Sequence, residues 1–155
     1  MLKKLIKKQK LKLIKKQKYK TVNQQLEAVK ENGHIIQQIE SPSEPVQLAA
    51  VQDHGWSIKY IPNPSEPVQL AAVRDNGWNI VHIQNPSEPV QLAAVKKDGW
   101  NIVYIQNPSE AVQLAAVQSD VKSIEFIRNP SESVINYIFE NCSEQFINKY
   151  FEIKE

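Results

Sequence analysis

The chain has 155 residues and a formal net charge of +2, but ten of its 19 basic residues and none of its 17 acidic residues lie in positions 1–20. Positions 21–155 carry a net charge of −8. No stretch approaches the roughly 18 apolar residues that a membrane-spanning helix needs, and no apolar segment of a secretory signal follows the first lysines. Cys142 is the single cysteine, which excludes an intramolecular disulfide framework. These features predict a cytoplasmic protein in a reducing, intracellular setting.

Positions 1–20 read as a basic N-terminal arm, because the phrase Lys-Leu-Ile-Lys-Lys-Gln-Lys occurs there twice, at 4–10 and 12–18. As a helix, the arm places part of its apolar residues on one face. Four roles are open: neutralising nucleic-acid phosphates, contacting a protein partner, covering the first repeat as a solvated helix, and lying on an anionic membrane, which is the least favoured. The nucleic-acid role would use Lys3, Lys4, Lys7, Lys8, Lys10, Lys12, Lys15, Lys16 and Lys18.

The phrase Pro-Ser-Glu-(Pro/Ala)-Val-Gln-Leu-Ala-Ala-Val begins every 22 residues, at Pro42, Pro64, Pro86 and Pro108. A strict period of this length is typical of tandem repeats, in which each unit buries its apolar face only against its neighbours. The register extends back to Thr21, which predicts five repeats over 21–130 and a degenerate sixth repeat over 131–155 as a C-terminal cap. We predict an all-α fold of short helix-turn-helix repeats stacked in one elongated solenoid, preceded by the lysine-rich helical arm.

Each repeat begins with a helix-start signal. In the third repeat the N-cap is Asn63, with Glu66 closing a capping box, or alternatively Ser65. Either choice places Glu66 in the first turn, and Pro67 is tolerated only there. The recurring glutamates are expected to cap helices rather than to attract cations. The glutamines Gln47, Gln69, Gln91 and Gln113 do not vary, which favours a structural ladder over the reading of bases.

The second half of each repeat begins with a glycine, at 33, 55, 77 and 99, which we expect to end the preceding helix in the left-handed conformation. The following segment, such as 78–83, is ambiguous between strand and helix, and we favour helix because Ile80 and Ile83 share a helical face. In the fifth repeat Val121 replaces the glycine, which predicts a different turn and a change of curvature near 119–123. We expect the tryptophans at 56, 78 and 100 to fill the wedge between repeats rather than to stack on bases.

Two sets of positions vary along the array and are candidates for contact with a partner. The first, the row, lies near the end of each second segment and comprises Tyr60, His82, Tyr104 and Phe126. The second, the rim, comprises the turn residues 52–54, 74–76, 96–98 and 118–120, with Arg74, Lys96 and Lys97 as its basic members. Variation at one edge of an array is typical of a surface that reads a specific partner, although an unconstrained solvated edge would vary as well.

No catalytic residue is predicted. The sequence has no phosphate-binding loop and no nucleophile motif, and its four glycines are assigned to turns. The three histidines lack the spacing of a metal site, and Cys142 has no companion cysteine. We therefore expect no enzymatic activity, no metal and no cofactor.

The phrase Asn-Pro-Ser-Glu-Pro-Val-Gln-Leu-Ala-Ala-Val, followed by Asp-Asn-Gly-Trp-Asn-Ile-Val-His-Ile, resembles a domain-of-unknown-function family of short tandem helical repeats over residues 21–130. Its members are uncharacterised proteins of large DNA viruses, phages and bacteria. The resemblance implies an α-helical array and carries no activity. The chain also resembles the small accessory proteins that phages use against host machinery.

The functional expectation is a non-enzymatic protein that binds a macromolecular protein partner. More narrowly, it predicts a phage or mobile-element inhibitor that sterically blocks a host nucleic-acid-handling defence complex, with the row and the rim holding the partner. The alternatives are direct nucleic-acid binding through the arm and a structural spacer or homo-oligomer.

Overall fold

The computed structural model describes residues 3–6 and 19–151, and all regular structure in these ranges is helical. Residues 3–6 are helical, and from residue 22 onward α-helices alternate with short 3-10 helices. The α-helices are α1 (Val22–Glu31), α2 (Glu44–Asp53), α3 (Glu66–Asp75), α4 (Glu88–Lys97), α5 (Glu110–Ser119), α6 (Glu132–Asn141) and α7 (Glu144–Phe151). The 3-10 helices are η1 (Gly33–Gln38), η2 (Gly55–Tyr60), η3 (Gly77–His82), η4 (Gly99–Tyr104) and η5 (Val121–Phe126).

The chain divides into two compact units, Met1–Asp75 and Asn76–Glu155. In the first unit α1 packs on α2 and α2 packs on α3, while in the second α4 packs on α5 and α5 on α6. Each 3-10 helix contacts the α-helix of its own repeat or of the next one. The helical repeats thus pack in series, which confirms the predicted all-α repeat solenoid. None of the helices in the described part of the chain is long and apolar enough to cross a bilayer.

The core repeats with the sequence. Every α-helix from α2 to α5 buries the valine of its first turn and the Ala-Val pair of its last turns, and every 3-10 helix buries an isoleucine. Burying a valine or isoleucine side chain contributes about 1.5–3 kcal/mol, so each repeat adds a similar increment that exists only when a neighbour covers it. In α4 and η4 these residues are Val90, Ala94, Val95 and Ile102, none more than 2% exposed.

The prediction of a capping box between Asn63 and Glu66 is wrong, because the helix begins at Glu66 and not at Pro64. Helix α3 begins at Glu66, so that Ser65 is its N-cap and Glu66 its first residue. The reason lies in Pro67. With Asn63 as the N-cap, Pro67 would occupy the fourth helical position, where its missing N–H should bond to the cap carbonyl. With Ser65 as the N-cap, Pro67 is the second helical residue, whose N–H has no partner within the helix.

The glutamates in this position still act at the helix start, as expected. Each lies in the first turn, where the helix dipole favours a carboxylate. In the second unit Glu88 also accepts a hydrogen bond from the hydroxyl of Ser109, the N-cap of the next helix. The carboxylate therefore links two repeats as well as starting one. The helix with a capping box is α1, through Thr21 and Gln24.

The second segments are helical rather than extended, as predicted, but they form 3-10 helices. In four of them the N-cap side chain accepts a bond from the N–H two residues later, as Asn76 does from Trp78 at 3.0 Å. Residues three apart eclipse in a 3-10 helix. Consequently Gly77 and Ile80 share the buried side of η3, while Trp78 and Val81 share an exposed side.

The glycines do not adopt the left-handed conformation that the sequence predicts, since no glycine of the described chain has a positive φ. They are required by close packing instead. A Cβ at Gly99 would lie 2.3 Å from the carbonyl oxygen of Ala116 in the next helix, and a Cβ at Gly33 would lie 2.4 Å from that of Ala50. These contacts bring the backbone of one repeat directly against the helix of the following repeat.

The predicted change of turn at residues 119–123 is also wrong. Asp120, which precedes η5, has φ −147° and ψ 115°, close to the −159° and 118° of Asp98 before η4. The residue before the 3-10 helix is extended rather than left-handed in both repeats, so Val121 follows the same turn as Gly99.

The left-handed residues lie at the opposite end of the repeat, directly before prolines that recur with the 22-residue period. Ser41, Asn85 and Asn107 have φ values of 55°, 49° and 50°. Asparagine tolerates this region better than other non-glycine residues because its short side chain bonds locally. At Asn85 and Asn107 the Asn-Pro dipeptide therefore lies in a bend between repeats and not at a helix cap.

At the end of the chain, α7 turns back onto the last 3-10 helix. The Tyr150 hydroxyl donates a hydrogen bond to the carboxylate of Glu125 in η5 and accepts one from Lys149 at 3.1 Å. The pair α6 and α7 thus has the place of the predicted degenerate sixth repeat, with a second α-helix where the other repeats have a 3-10 helix.

Replacing Gly99 by alanine should lower the free energy of unfolding by about 1–3 kcal/mol, because the added methyl group meets backbone atoms that cannot move aside. The replacement Val121→Ala is the matched control, since its position already accepts a side chain, and it should cost less. Urea denaturation of both variants measures the difference. Equal losses would contradict the packing explanation.

A second prediction concerns the left-handed turn at Asn107. The Asn107→Ala variant should lose about 1 kcal/mol of unfolding free energy, because alanine lacks the side-chain compensation for φ near 50°. The Asn107→Gly variant should stay close to the parent protein, since glycine has no Cβ penalty there. A stability of Asn107→Ala equal to that of Asn107→Gly in the same urea titration would refute this account.

Candidate partner-binding surface

The row lies on the protein surface, at the last residue of successive 3-10 helices. Tyr60 and His82 are half-buried, whereas Tyr104 and Phe126 are 43% and 37% exposed. Each row residue lies on the same side of its 3-10 helix as a buried polar residue three positions earlier, one of Ser57, Asn79, Asn101 and Ser123. In η4 that residue is Asn101, whose amide donates to the carbonyl of Ala94 at 3.0 Å. The row is thus held on short, well-anchored elements.

Beside the row residues the structure has clefts, which we call the inter-repeat clefts. In the second unit one cleft has a volume of about 510 Å³ and the next about 630 Å³. They are equivalent: adding 22 to the residue numbers of the first gives residues of the second. The first is lined by Ile83, Gln84, Asn85, Pro86, Gln91, Tyr104, Ile105 and Gln106. The second is lined by Ile105, Gln106, Asn107, Pro108, Gln113, Phe126, Ile127, Arg128 and Asn129.

The first unit has a cleft at the same place in the register. It measures about 510 Å³ and is lined by Tyr19, Lys20, Gln25, Gln38, Ile39, Glu40 and Ser41. Adding 88, or four repeats, to these numbers gives seven residues of the 630 Å³ cleft. In this first repeat the wall position of Tyr104 and Phe126 is taken by Gln38, so the aromatic wall is absent there. Sequence reasoning found the row but not the cleft beside it.

The recurring glutamines form the back of the clefts and are structural, as predicted. The amide of Gln91 donates to the carbonyl of Pro86 at 2.8 Å, and that of Gln113 donates to the carbonyl of Pro108 at 3.1 Å. The carbonyl oxygen of Gln113 also accepts a bond from the Ser131 N–H at 3.0 Å. Each glutamine therefore ties the Asn-Pro turn to its own helix, and Gln113 ties it to the following repeat.

The tryptophans do not fill the wedge between repeats, which corrects the sequence prediction. Trp78 and Trp100 are 37% and 42% exposed, and each packs against the row residue of the following repeat. The Trp78 indole N–H donates to the Tyr104 hydroxyl at 3.0 Å, and the ring centroids of Trp100 and Phe126 are 5.1 Å apart. The space between two repeats is too narrow for an indole ring, because the glycine backbone of one repeat lies directly against the helix of the next. The result is an exposed aromatic wall beside each cleft of the second unit.

The first unit uses its row residue differently. The Lys59 ammonium group lies 4.4 Å from the Trp56 ring centroid and 4.8 Å from the Tyr60 ring centroid. A cation over an aromatic face is attracted by about 0.5–1 kcal/mol at an exposed site. His34 also packs edge-on against Tyr60 and against His54, with ring centroids 6.2 Å and 4.7 Å apart. Tyr60 is therefore more enclosed than Tyr104.

About half of the rim has a structural function. The carboxylates of Asp53 and Asp75 accept bonds from the N–H groups of Gly33 and Gly55, at 2.7 Å and 3.1 Å. Asn76, Asp98 and Asp120 cap the 3-10 helices that follow them. These positions vary because several polar residues can accept such bonds.

The basic rim residues Arg74, Lys96 and Lys97 are exposed and lie in the last turn of α3 or α4. A cation there is favoured by the helix dipole, so their charge has a local explanation at the helix ends. The six-residue helix η4 separates Lys97 from Tyr104 by roughly 10 Å at the 3-10 rise. The structure thus places rim and row at opposite ends of the 3-10 helices.

Most of the basic arm lies outside the described residues. Lys3 and Lys4 are exposed on the helical segment 3–6. The other lysines predicted to contact nucleic acid, Lys7, Lys8, Lys10, Lys12, Lys15, Lys16 and Lys18, fall in the range 7–18 that the structure does not describe.

The described ranges contain no candidate metal site. No cluster of three or more histidine, cysteine or acidic side chains that could hold a metal ion occurs within them. Partial burial raises the pKa of the Cys142 thiol, which lowers the fraction of reactive thiolate. Neither observation supplies a chemical step.

The acid-sensitive group beside the aromatic wall is Asp120. Its pKa lies below the ordinary value because the carboxylate accepts the Lys122 backbone N–H and the Trp100 indole N–H, the latter at 2.7 Å. A lowered pKa in the folded state means that ionised Asp120 stabilises the fold at neutral pH. That contribution is fully present above the ordinary value of 3.8 and is lost as the pH falls through the folded-state pKa.

The Asp120→Asn variant should therefore show a shallower loss of stability on acidification than the parent protein, because the amide keeps a hydrogen-bond acceptor but does not titrate. Thermal unfolding followed by circular dichroism between neutral pH and the acid range below 3.8 measures this. The indole fluorescence should change over the same range in the parent protein. Identical acid profiles of variant and parent would contradict the assignment.

Comparison of the chain with protein-family models, with curated proteins and with solved structures finds no match in any of the three. The resemblance to a family of short helical repeats therefore stays a prediction, and the fold rests on the helices and packing described above.

Proposed function

We propose that the protein is a non-catalytic binding protein and that its second unit holds a protein partner in the two inter-repeat clefts. The observation that carries this proposal is the placement of Tyr104 and Phe126. Both rings are more than one-third exposed, and each forms the wall of an equivalent cleft in adjacent repeats.

The composition of this surface supports a protein partner. Tyrosine and tryptophan are enriched among the residues that contribute most to protein interfaces, because they offer a large rigid area with few rotatable bonds. Trp78, Trp100 and Tyr104 expose such area side by side, and Val81 and Val103 add 41% and 51% exposed aliphatic groups. A surface of this kind gains free energy when a partner covers it.

The combination of a constant cleft shape and a varying row residue supports specificity. The glutamine-to-proline bonds hold the cleft in the same shape in both repeats, while the wall residue changes from Tyr104 to Phe126. A partner therefore meets one geometry with different chemistry in each repeat. His82 and Tyr60 occupy the same position in the two preceding repeats.

The basic rim residues are proposed as a second, weaker contact. Exposed charges such as Arg74, Lys96 and Lys97 raise the rate of association with an acidic partner more than they raise its affinity. The narrower expectation, an inhibitor of a host nucleic-acid-handling complex, stays a prediction. The alternatives of nucleic-acid binding through positions 1–20 and of a spacer or homo-oligomer stay predictions as well.

The test is a pull-down with the tagged full chain from a nuclease-treated bacterial lysate, with quantitative mass spectrometry of what is retained. The Tyr104→Ala/Phe126→Ala double variant should retain the partner at least about tenfold less well, since it removes two central interface rings. A Lys96→Glu/Lys97→Glu variant should reduce retention less and mainly at low salt.

The matched control is Phe139→Ala, which removes a ring that is 48% exposed on α6 but lines neither cleft. It should retain the partner as the parent does. Retention that is indifferent to Tyr104 and Phe126 would reject the proposal, as would a partner that the parent protein retains only from a parallel lysate without nuclease.

A further inference from the structure

We infer that the occupant of the two clefts in the second unit is a proline-rich segment in the polyproline II conformation, uncharged across both clefts and acidic at the end that meets Arg128. This inference rests on the proposed function and specifies its partner by chemistry.

The first argument is the period of the clefts. Adjacent helices pack about 8–10 Å apart, and the two clefts are one repeat apart. A polyproline II helix has three residues per turn and a rise of about 3.1 Å, so that every third side chain recurs after about 9 Å. An extended strand repeats the same face after about 6.7 Å, and an α-helix after about 5.4 Å. The polyproline II period is the one that places equivalent side chains in successive clefts.

The second argument is the wall and its neighbours. Proline-rich ligands dock in grooves lined by aromatic rings, which pack against the flat pyrrolidine. Here Tyr104 and Phe126 supply the rings, and each is braced by the tryptophan of the preceding repeat. The bracing fixes the ring orientation before a ligand arrives, which reduces the entropy lost on binding.

The third argument is hydrogen bonding. A polyproline II backbone makes no internal hydrogen bonds, so its carbonyl groups need external donors. Gln84 and Gln106 line the clefts, are exposed and carry amide donors. They recur at the same position in the two repeats, one donor for each turn of the ligand.

The fourth argument is charge. From Ile83 to Ile127 the residues that line the two clefts are uncharged, and Arg128 at the far end is exposed. A strand of nucleic acid would need cationic groups along its whole path, which these clefts lack. An uncharged ligand with one terminal carboxylate cluster matches the lining, because Arg128 can pair with a carboxylate in a bidentate manner.

The probe is a fluorescein-labelled peptide of about nine residues, enough for three polyproline II turns, built from Pro-Pro-Ala units and ending in two glutamates. Its binding to the full chain is followed by fluorescence anisotropy. Two control peptides have the same length, one with Gly-Ser units in place of Pro-Pro-Ala and one ending in two lysines.

We expect the acidic proline peptide to bind more tightly than both controls. Tyr104→Ala and Phe126→Ala should each weaken it about fivefold to tenfold, as expected for the loss of one packed ring. Arg128→Glu should reverse the preference between the acidic and basic ends, and Phe139→Ala should change nothing. Circular dichroism of each variant checks that the helices are retained.

Equal binding of the Gly-Ser peptide, or binding that ignores Tyr104 and Phe126, would overturn the inference. So would a poly-dT oligonucleotide that binds in a manner dependent on these two rings, since it would identify a different class of ligand. If the proline peptide does not bind while the pull-down still depends on Tyr104 and Phe126, the inference fails and the proposed function stands. If neither depends on them, both fail.

Discussion

The structure depends on one close contact, the approach of the glycine backbone of one repeat to an alanine carbonyl in the helix of the next. At Gly99 a single methyl group would come within 2.3 Å of the Ala116 oxygen. In the first unit the same approach is accompanied by a hydrogen bond from Gly33 to Asp53. Contacts at this distance leave no room for an indole between the repeats, and they therefore place the tryptophans on the surface.

The aromatic wall is a consequence of this packing. A 3-10 helix has only three sides, and the glycine and isoleucine positions occupy the side that faces the core. The tryptophan is left on an outer side, where it reaches the row residue of the following repeat, as Trp100 reaches Phe126. The tryptophan and the row residue thus lie on sides of the short helix different from the side of the glycine and isoleucine that pack in the core. The row can vary while the repeat continues to pack.

The rim and the row also differ in what their variation means. Polar substitutions among Asn76, Asp98 and Asp120 preserve a cap, and their variation reflects the tolerance of a hydrogen-bond acceptor. The change from Tyr104 to Phe126 affects an exposed ring at a cleft and alters the chemistry of its lining. In a repeat array, variation therefore points to partner recognition only at exposed side chains that do not cap a helix.

The sequence by itself determined the 22-residue register, the helical class, the first-turn glutamates and prolines, and the location of the row, because these depend on residues a few positions apart. The register of Pro67 even excludes Asn63 as the N-cap, although the capping-box pattern suggested it. Only the tertiary structure decided why glycine is required, why Trp78 is exposed and where the clefts lie. Those features arise from contacts between residues 17 to 26 positions apart, such as Gly99 with Ala116 and Trp78 with Tyr104. A local sequence pattern does not give the distance between two repeats. That distance determines whether the tryptophan ring is buried between them or exposed on the surface.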